Sequence, residues 1–179
     1  MKKRPMEFDY NTCLQRISVK DKDALEQLYL ELKDPVYRYA LTLLQDHALA
    51  EDAMQITFMK IMANADTYRP GVTGKAWVLA ITRNTCHDIR QRKTPVAEEA
   101  IINSVMDENC IDAITDSIAV KEAFRKLTPI EREIMSLYTF SGLRQTEIAH
   151  VMKMPYIKVR SHYGYAVKKL RKELCDNEK

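Results

Sequence analysis

The stretch Leu127–Leu174 reads LTPIEREIMSLYTFSGLRQTEIAHVMKMPYIKVRSHYGYAVKKLRKEL. Between Lys153 and Lys172 it contains seven Lys or Arg residues and no Asp or Glu. A helix with so one-sided a charge suits a polyanion, such as the phosphate backbone of nucleic acid, better than it suits packing against its own protein. This stretch therefore indicates a nucleic-acid contact.

The beginning of the stretch carries a helix-start pattern. Thr128 is a good N-cap, Pro129 suits the first helical position, and Glu131 stands where a capping-box acid reaches back. The helix is expected to end near Ser141-Gly142. Its predicted inward side chains recur at helical spacing: Ile130, Ile134, Leu137 and Tyr138.

Two helices joined by a tight corner are predicted next. Residues 145–152 form the first, and Pro155 is expected to open the second. Steps of four, three and four place one row of the second helix inward: Val159, Tyr163, Ala166 and Leu170. Such a pair, with its second helix basic, is typical of a helix-turn-helix, whose second helix lies in the major groove of DNA.

The outward face of this last helix supplies the candidate DNA contacts. The side chains suited to base edges are Lys158, Arg160, Ser161, His162 and Tyr165. Those further along are better placed for phosphates: Lys168, Lys169, Arg171 and Lys172. The alternative is a solvated charged surface helix, but the absence of acids and the short helix before it favour DNA.

The first half of the chain also predicts helices. Apolar residues recur at spacings of three and four from Asp23 to Gln45, and Pro35 is expected to separate two helices there. A turn is predicted between Tyr68 and Gly74, before a helix that starts near Lys75 and buries Trp77, Ala80 and Ile81. The helix before that turn is expected to bury Ala50, Ala53, Met54, Phe58, Ile61 and Met62.

An acidic connector separates the two halves. From Thr94 to Val120 there are six acids and no Lys or Arg. Because the flanking helices are basic, the change in charge predicts a linker between two helical lobes. The prediction is an all-α chain with an N-terminal segment at 1–22, a first lobe at 23–93, a linker at 94–118 and a second lobe at 119–175.

Composition narrows the class of protein. The chain has 179 residues, 46% of them hydrophobic and 30% charged, which fits a globular protein. It has no apolar run of membrane-spanning length, its first residues lack the apolar core of a signal peptide, and its four scattered cysteines suit a reducing compartment. A cytoplasmic protein without cofactor, metal or small-molecule substrate is expected. An enzyme is disfavoured because the four histidines are scattered and no phosphate loop or nucleophile motif is present.

Particular motifs resemble a known family. Glu147-Ile148-Ala149, Val159-Arg160-Ser161 and Lys168-Lys169-Leu170-Arg171 are similar to region 4 of sigma factors of the extracytoplasmic-function group. The stretch Ala50–Lys60 resembles the acidic, glutamine-containing helix of region 2, and Trp77–Ile81 with Arg83-Asn84 and Asp88 resembles its promoter-engaging helix. Together the two blocks cover about residues 23–93 and 119–174.

The resemblance implies partners and roles. Such proteins are not enzymes: they bind core RNA polymerase, read the upstream promoter element as duplex and capture the melted non-template strand at the downstream element. A regulatory anti-sigma factor is a further implied partner. The implied polymerase contacts are Glu51, Asp52, Gln55 and Met59. The implied region 2 DNA contacts are Tyr68, Arg69, Arg83, Asn84, Asp88 and Arg90, with Asn84 in the base-reading position.

The sequence departs from the family pattern in the second lobe. Lys153 stands at the corner usually held by Gly, and Ile157-Lys158 replaces a Gly-Thr pair. Gly164 lies inside the last helix, where it costs about 1 kcal/mol relative to Ala, at a position where the family often has a bulky side chain. The main alternative function is a stand-alone helix-turn-helix regulator, with the first lobe as a sensor or dimerisation module.

Overall fold

The computed structural model describes residues 8–93 and 118–176, and these ranges are almost entirely helical. The acidic linker predicted at 94–118 therefore lies outside the described residues except for its last position. The first range contains α1 (Tyr10–Ser18), α2 (Lys22–Leu44), α3 (His47–Asn64), a 3-10 turn (Ala65–Thr67) and α4 (Gly74–Lys93). The second contains α5 (Ile118–Arg125), α6 (Pro129–Thr139), α7 (Gln145–Val151) and α8 (Tyr156–Asp176). The predicted all-α fold is confirmed.

Aspartates begin the first three helices. The carboxylates of Asp9, Asp21 and Asp46 accept hydrogen bonds from backbone N–H groups of the first turns of α1, α2 and α3. These caps satisfy N–H groups that the helices leave without internal partners. Helix α1 was not predicted from the sequence: it lies within the segment assigned to 1–22 and buries Cys13, Leu14 and Ile17 in the first lobe.

The expected break at Pro35 was wrong. Helix α2 runs without interruption from Lys22 to Leu44, with Pro35 inside it. A proline removes one backbone hydrogen bond and crowds the preceding turn. The helix nevertheless continues, because Leu32 and Val36 on either side are fully buried and pack into the core.

The second lobe follows the predicted capping and corner chemistry. Thr128 N–H donates to Glu131 Oε2 at 2.8 Å and Glu131 N–H lies 3.4 Å from Thr128 Oγ1, which completes the capping box of α6. Gly142 has φ +65° in the turn after α6. Lys153 has φ +52° at the corner between α7 and α8, a left-handed conformation that glycine adopts more easily than lysine.

Burial on α6 differs from the predicted single face. Ile134 and Leu137 are fully buried as expected, but Ile130 is 36% and Tyr138 43% exposed. All residues from Glu131 to Leu137 are buried, because α6 packs against α2 on one side and α8 on another. A helix covered on two sides does not show one simple apolar stripe.

The core extends across both lobes. Buried residues of the first lobe, such as Leu28 and Leu79, belong to the same apolar cluster as Ile134 and Ile148 of the second. Val159 and Ala166 of α8 are fully buried as predicted, and Tyr163 and Leu170 are half-buried. In residues 8–93 and 118–176, no helix is long and apolar enough to cross a membrane.

Candidate nucleic-acid interface

Helix α8 projects most of its predicted DNA contacts from the protein. Its inward row is held by the second lobe, so the opposite side faces solvent. The exposed candidates on α8 are Lys158, Arg160, Ser161, Tyr165, Lys168, Arg171 and Lys172. His162 is half-buried. Tyr156, Ile157 and Gly164 join four of these exposed residues around a shallow groove of about 580 Å³. This exposed basic side of α8 is the predicted duplex contact.

Lys169 is arranged differently from its neighbours on α8. Its ammonium donates to Glu131 Oε2 at 2.7 Å, so it braces the capping box of α6. Burial opposes ionisation of Glu131, but the hydrogen bonds from Lys169 and Thr128 outweigh it and lower the pKa of that carboxyl. In this arrangement Lys169 has an internal partner as well as its predicted phosphate role.

Helix α4 presents a polar face that contains the predicted base reader. Asn84 and Asp88 are both exposed and lie one turn apart, and Arg90 is half-buried. Asp88 Oδ2 accepts a hydrogen bond from the ammonium of Lys60 on α3 at 3.1 Å. Because an exposed pair of this kind is weak, Asp88 remains available for other contacts.

The turn before α4 is braced from inside the first lobe. The Tyr68 side chain is buried, and its hydroxyl lies 2.6 Å from Asn11 Oδ1 and 2.8 Å from the Val72 carbonyl oxygen. Asn11 Oδ1 also accepts from Gly74 N–H at 2.9 Å, so α1 fixes the start of α4. Arg69 is exposed and folds back on the carbonyl oxygens of residues 66 and 68.

The candidate polymerase contacts share one side of α3. Glu51, Asp52, Gln55 and Met59 are all exposed. Met62 was predicted to be buried, and that was wrong: it is 59% exposed, close to the 65% of Met59 one turn earlier. The surface therefore combines acidic side chains with two flexible apolar ones, a mixture suited to docking on another protein.

A buried carboxylate joins the two lobes. Glu133 Oε1 accepts from the Tyr39 hydroxyl at 2.8 Å and from Arg83 Nε at 2.7 Å. Burial lowers the pKa of the Arg83 guanidinium, but the Glu133 carboxylate more than compensates and the net shift is upward. Arg83 was predicted to contact DNA, and in this arrangement its side chain is held by Glu133 of the second lobe. Thr42 Oγ1 and Ser136 Oγ, 3.1 Å apart, extend the same interface.

The second lobe also touches the turn before α4. Thr73 Oγ1 donates to Glu147 Oε1 at 2.6 Å, beside a shallow cleft of about 460 Å³ between this turn and the first turn of α7.

The roles of Glu133 and Thr73 were not predicted from the sequence. The sequence did contain a sign of the role of Glu133. It lies three residues after Ile130 and four before Leu137, so it is a charged residue on a helix face that is otherwise apolar.

The two lobes match known sequence families in order along the chain. Residues 28–95 match Sigma-70 region 2, and residues 123–172 match Sigma-70, region 4. The chain belongs to the extracytoplasmic-function group of the sigma-70 family. This identity favours a sigma factor over the stand-alone helix-turn-helix regulator, because such a regulator does not require region 2.

Curated relatives of this sigma factor are distant in sequence. The ECF RNA polymerase sigma factor BldN of Streptomyces coelicolor is 27% identical over 173 residues, covering 92% of this chain but only 65% of BldN. The ECF RNA polymerase sigma factor SigM of Bacillus subtilis is 25% identical over 142 residues, covering 76% of this chain and 86% of SigM.

Solved sigma-factor structures share the fold. The sigma factor RpoE from Bartonella quintana, in complex with the anti-sigma factor NepR, aligns with a TM-score of 0.64 and 26% identity over 83% of this chain and 95% of that one. CnrH in complex with the cytosolic domain of CnrY aligns with a TM-score of 0.69 and 19% identity over 96% of this chain and 100% of that one. The second likeness concerns the fold alone.

Proposed function

We propose that this sigma factor binds core RNA polymerase and directs promoter-specific initiation through one DNA contact in each lobe. The observation that carries the proposal is the exposed basic side of α8, which lies opposite the packed row of the same helix in a chain that also contains region 2. The polymerase core supplies the catalytic site, so the sigma factor itself is not an enzyme. The sigma factor acts beside the polymerase, in the cytoplasm.

In the second lobe, α8 enters the major groove of the upstream element. Lys158 and Arg160 are exposed and reach base edges or phosphates, and Lys168 contacts the backbone further along the helix. Backbone contacts add affinity that falls as salt rises, whereas base contacts give the preference for one sequence. The second lobe therefore sets the position of the polymerase on the duplex.

In the first lobe, the α4 face takes the melted non-template strand of the downstream element. Unstacking a base costs a few kcal/mol, which is offset when the freed base is stacked or hydrogen-bonded by the protein. Asn84 offers both donors and an acceptor for a base edge, and it is exposed on α4. Arg69 at the preceding turn and Arg90 further along α4 contribute positive charge to the strand.

The exposed side of α3 docks on the polymerase. Glu51, Asp52 and Gln55 offer polar contacts, and Met59 adds an adaptable apolar one. A protein interface of this mixed composition suits an assembly that forms and dissociates during each initiation cycle. An anti-sigma factor is a further proposed partner, supported by the complex in which RpoE was solved with NepR.

Assembly with core polymerase is the first test. The purified chain is expected to co-elute with core polymerase and to support run-off transcription from promoters that the assembled holoenzyme selects out of genomic DNA. A chain that ignores core polymerase and binds duplex tightly alone would instead be a regulator.

Replacing Asn84 tests the proposed base reader. N84A is expected to impair promoter opening more than duplex binding, because the side chain contacts DNA only after the strands separate. Permanganate footprints of unpaired thymines measure opening, and mobility shifts measure binding to the same promoter. N64A is a matched control, since Asn64 is an exposed asparagine at the end of α3 whose amide donates to the Lys60 carbonyl. Normal footprints in N84A would remove Asn84 from this role.

A further inference from the structure

Gly164 is not explained by the packing or the backbone of the protein. A Cβ added at this position would meet no atom within 4 Å beyond its own helix backbone and chain neighbours. Among the glycines of the described residues, Gly142 has a positive φ and Gly164 does not. Since glycine weakens a helix interior relative to alanine, Gly164 lowers the stability of α8. The packing and backbone of the folded protein give no reason for glycine here.

The position of Gly164 on α8 is central to the exposed side. Val159 and Ala166 are fully buried on the packed side. The row 157, 161, 164 and 168 repeats the same steps of four, three and four on the opposite side of the helix. Gly164 therefore lies in the solvent-facing row of α8, on the side of the helix that would face a groove.

The surface around Gly164 is recessed. Ser161, one turn earlier, is small, and its hydroxyl donates back to the Ile157 carbonyl oxygen at 3.0 Å, which keeps it close to the helix. Ile157 and Tyr165 stand on either side of this recess and are 76% and 62% exposed. Together with the neighbouring cations Arg160 and Lys168 they form the rim of the 580 Å³ groove.

The dimensions of a duplex supply a reason for the recess. An α-helix with its side chains is about 10–12 Å across, and the major groove of B-DNA is about 12 Å wide. A side chain at the centre of the leading side therefore limits how deeply a helix enters. When that side chain is absent, the helix axis approaches the base edges, and flanking side chains reach them.

We infer that Gly164 is a positioning residue for the promoter duplex: its missing side chain lets α8 sit deep enough for Ile157 and Arg160 to contact base edges of the upstream element. Ile157 then offers an apolar surface for a thymine methyl group, and Arg160 offers donors for guanine. The inference rests on the proposed function, since it concerns the same contact between α8 and duplex DNA.

The test compares stability and binding in the full chain. G164A is expected to raise the melting temperature by about 2–4 °C, because alanine favours the helix and nothing crowds its methyl group. The same variant, assembled with core polymerase, is expected to bind a promoter duplex selected by the wild-type holoenzyme at least about fivefold more weakly, on the scale of a lost base contact. G164L should weaken binding further. Gain of stability with loss of affinity is the signature, since a damaged fold lowers both.

G142A is the matched control. It makes the same Gly→Ala change in the same lobe, but at φ +65° in the turn after α6, so it should lower the melting temperature and leave duplex affinity unchanged. Unchanged affinity in G164A and G164L would overturn the inference while the proposed function stands. Loss of both stability and affinity in G164A would also overturn it. If the wild-type holoenzyme selects no duplex, the proposed function fails, and the inference fails with it.

Discussion

Helices α4 and α8 both carry basic side chains that are predicted to contact DNA, but those of α8 are exposed whereas Arg83 of α4 is held within the protein. On α8 the cations Lys158, Arg160 and Lys168 project into solvent. On α4 the Arg83 guanidinium turns toward the second lobe and is held by Glu133. The second lobe therefore leaves its own predicted DNA surface exposed while it covers part of the predicted DNA surface of the first.

Glu133 gives Arg83 an anionic partner of the kind that DNA was proposed to provide. Glu133 offers Arg83 an anionic oxygen in a partly buried site, where such a contact is stronger than at an exposed surface. DNA that binds Arg83 must therefore compete with the Glu133 carboxylate. In the proposed function, the packed lobes therefore leave α8 free for duplex DNA, whereas Arg83 of α4 must first leave Glu133.

Replacing Glu133 should have the largest effect, because it removes the carboxylate that holds Arg83. E133Q keeps the shape of the side chain but removes the charge that Arg83 and Tyr39 share, so the free energy of unfolding should fall by about 1–3 kcal/mol. The freed Arg83 should tighten binding of single-stranded DNA by the isolated chain several-fold. Chemical denaturation and fluorescence anisotropy measure the two quantities.

Two further variants test whether E133Q acts through Arg83. In an R83M background, E133Q should give no gain in strand affinity, because the cation that Glu133 restrains is gone. T42V removes the neutral contact with Ser136 at the same interface, so it should lower stability less. An equal affinity gain from E133Q with and without Arg83 would show that the carboxylate acts by general repulsion of DNA.

Much of this arrangement is readable from local sequence, and the remainder depends on contacts between distant segments. The Thr128 capping box, the corner at Lys153 and the open side of α8 follow from neighbouring residues, and all are present. The Tyr39–Glu133 contact joins positions 94 residues apart, which no periodicity reveals. Helix α1 is short, and its buried side is covered by α2, the 3-10 turn and α4, as expected when tertiary packing decides marginal helices.

Arg160 and Lys169 lie on the same helix but differ in their contacts: Arg160 is exposed, whereas Lys169 is paired with Glu131. R160A should weaken binding to the selected promoter by about 1–3 kcal/mol with little change in stability, because Arg160 is exposed. K169M should weaken binding less and lower stability by about 1 kcal/mol, since its ammonium is held by Glu131. Run-off transcription and thermal unfolding measure both variants side by side.

The paired carboxyl also sets a pH dependence. The pKa of Glu131 is lowered in the folded chain, so below the ordinary glutamate pKa of about 4.3 the unfolded chain binds more protons than the folded one. The stability that Glu131 contributes is therefore complete above that range and is lost as pH falls through its lower folded value. K169M should flatten this acid dependence, whereas R160A should leave it intact.

The smallest expected effect concerns the corner that sets the angle of α8. Lys153 at φ +52° has a counterpart in the first lobe, Gln45 at φ +54° at the end of α2. K153G and Q45G should each stabilise the chain by up to about 1 kcal/mol, because glycine adopts this conformation without steric cost, although its freer unfolded state offsets part of the gain. Only K153G should also change duplex affinity, since it loosens the corner between α7 and α8, the helix proposed to enter the groove. Equal changes in duplex affinity from both variants would mean that the corner does not orient α8.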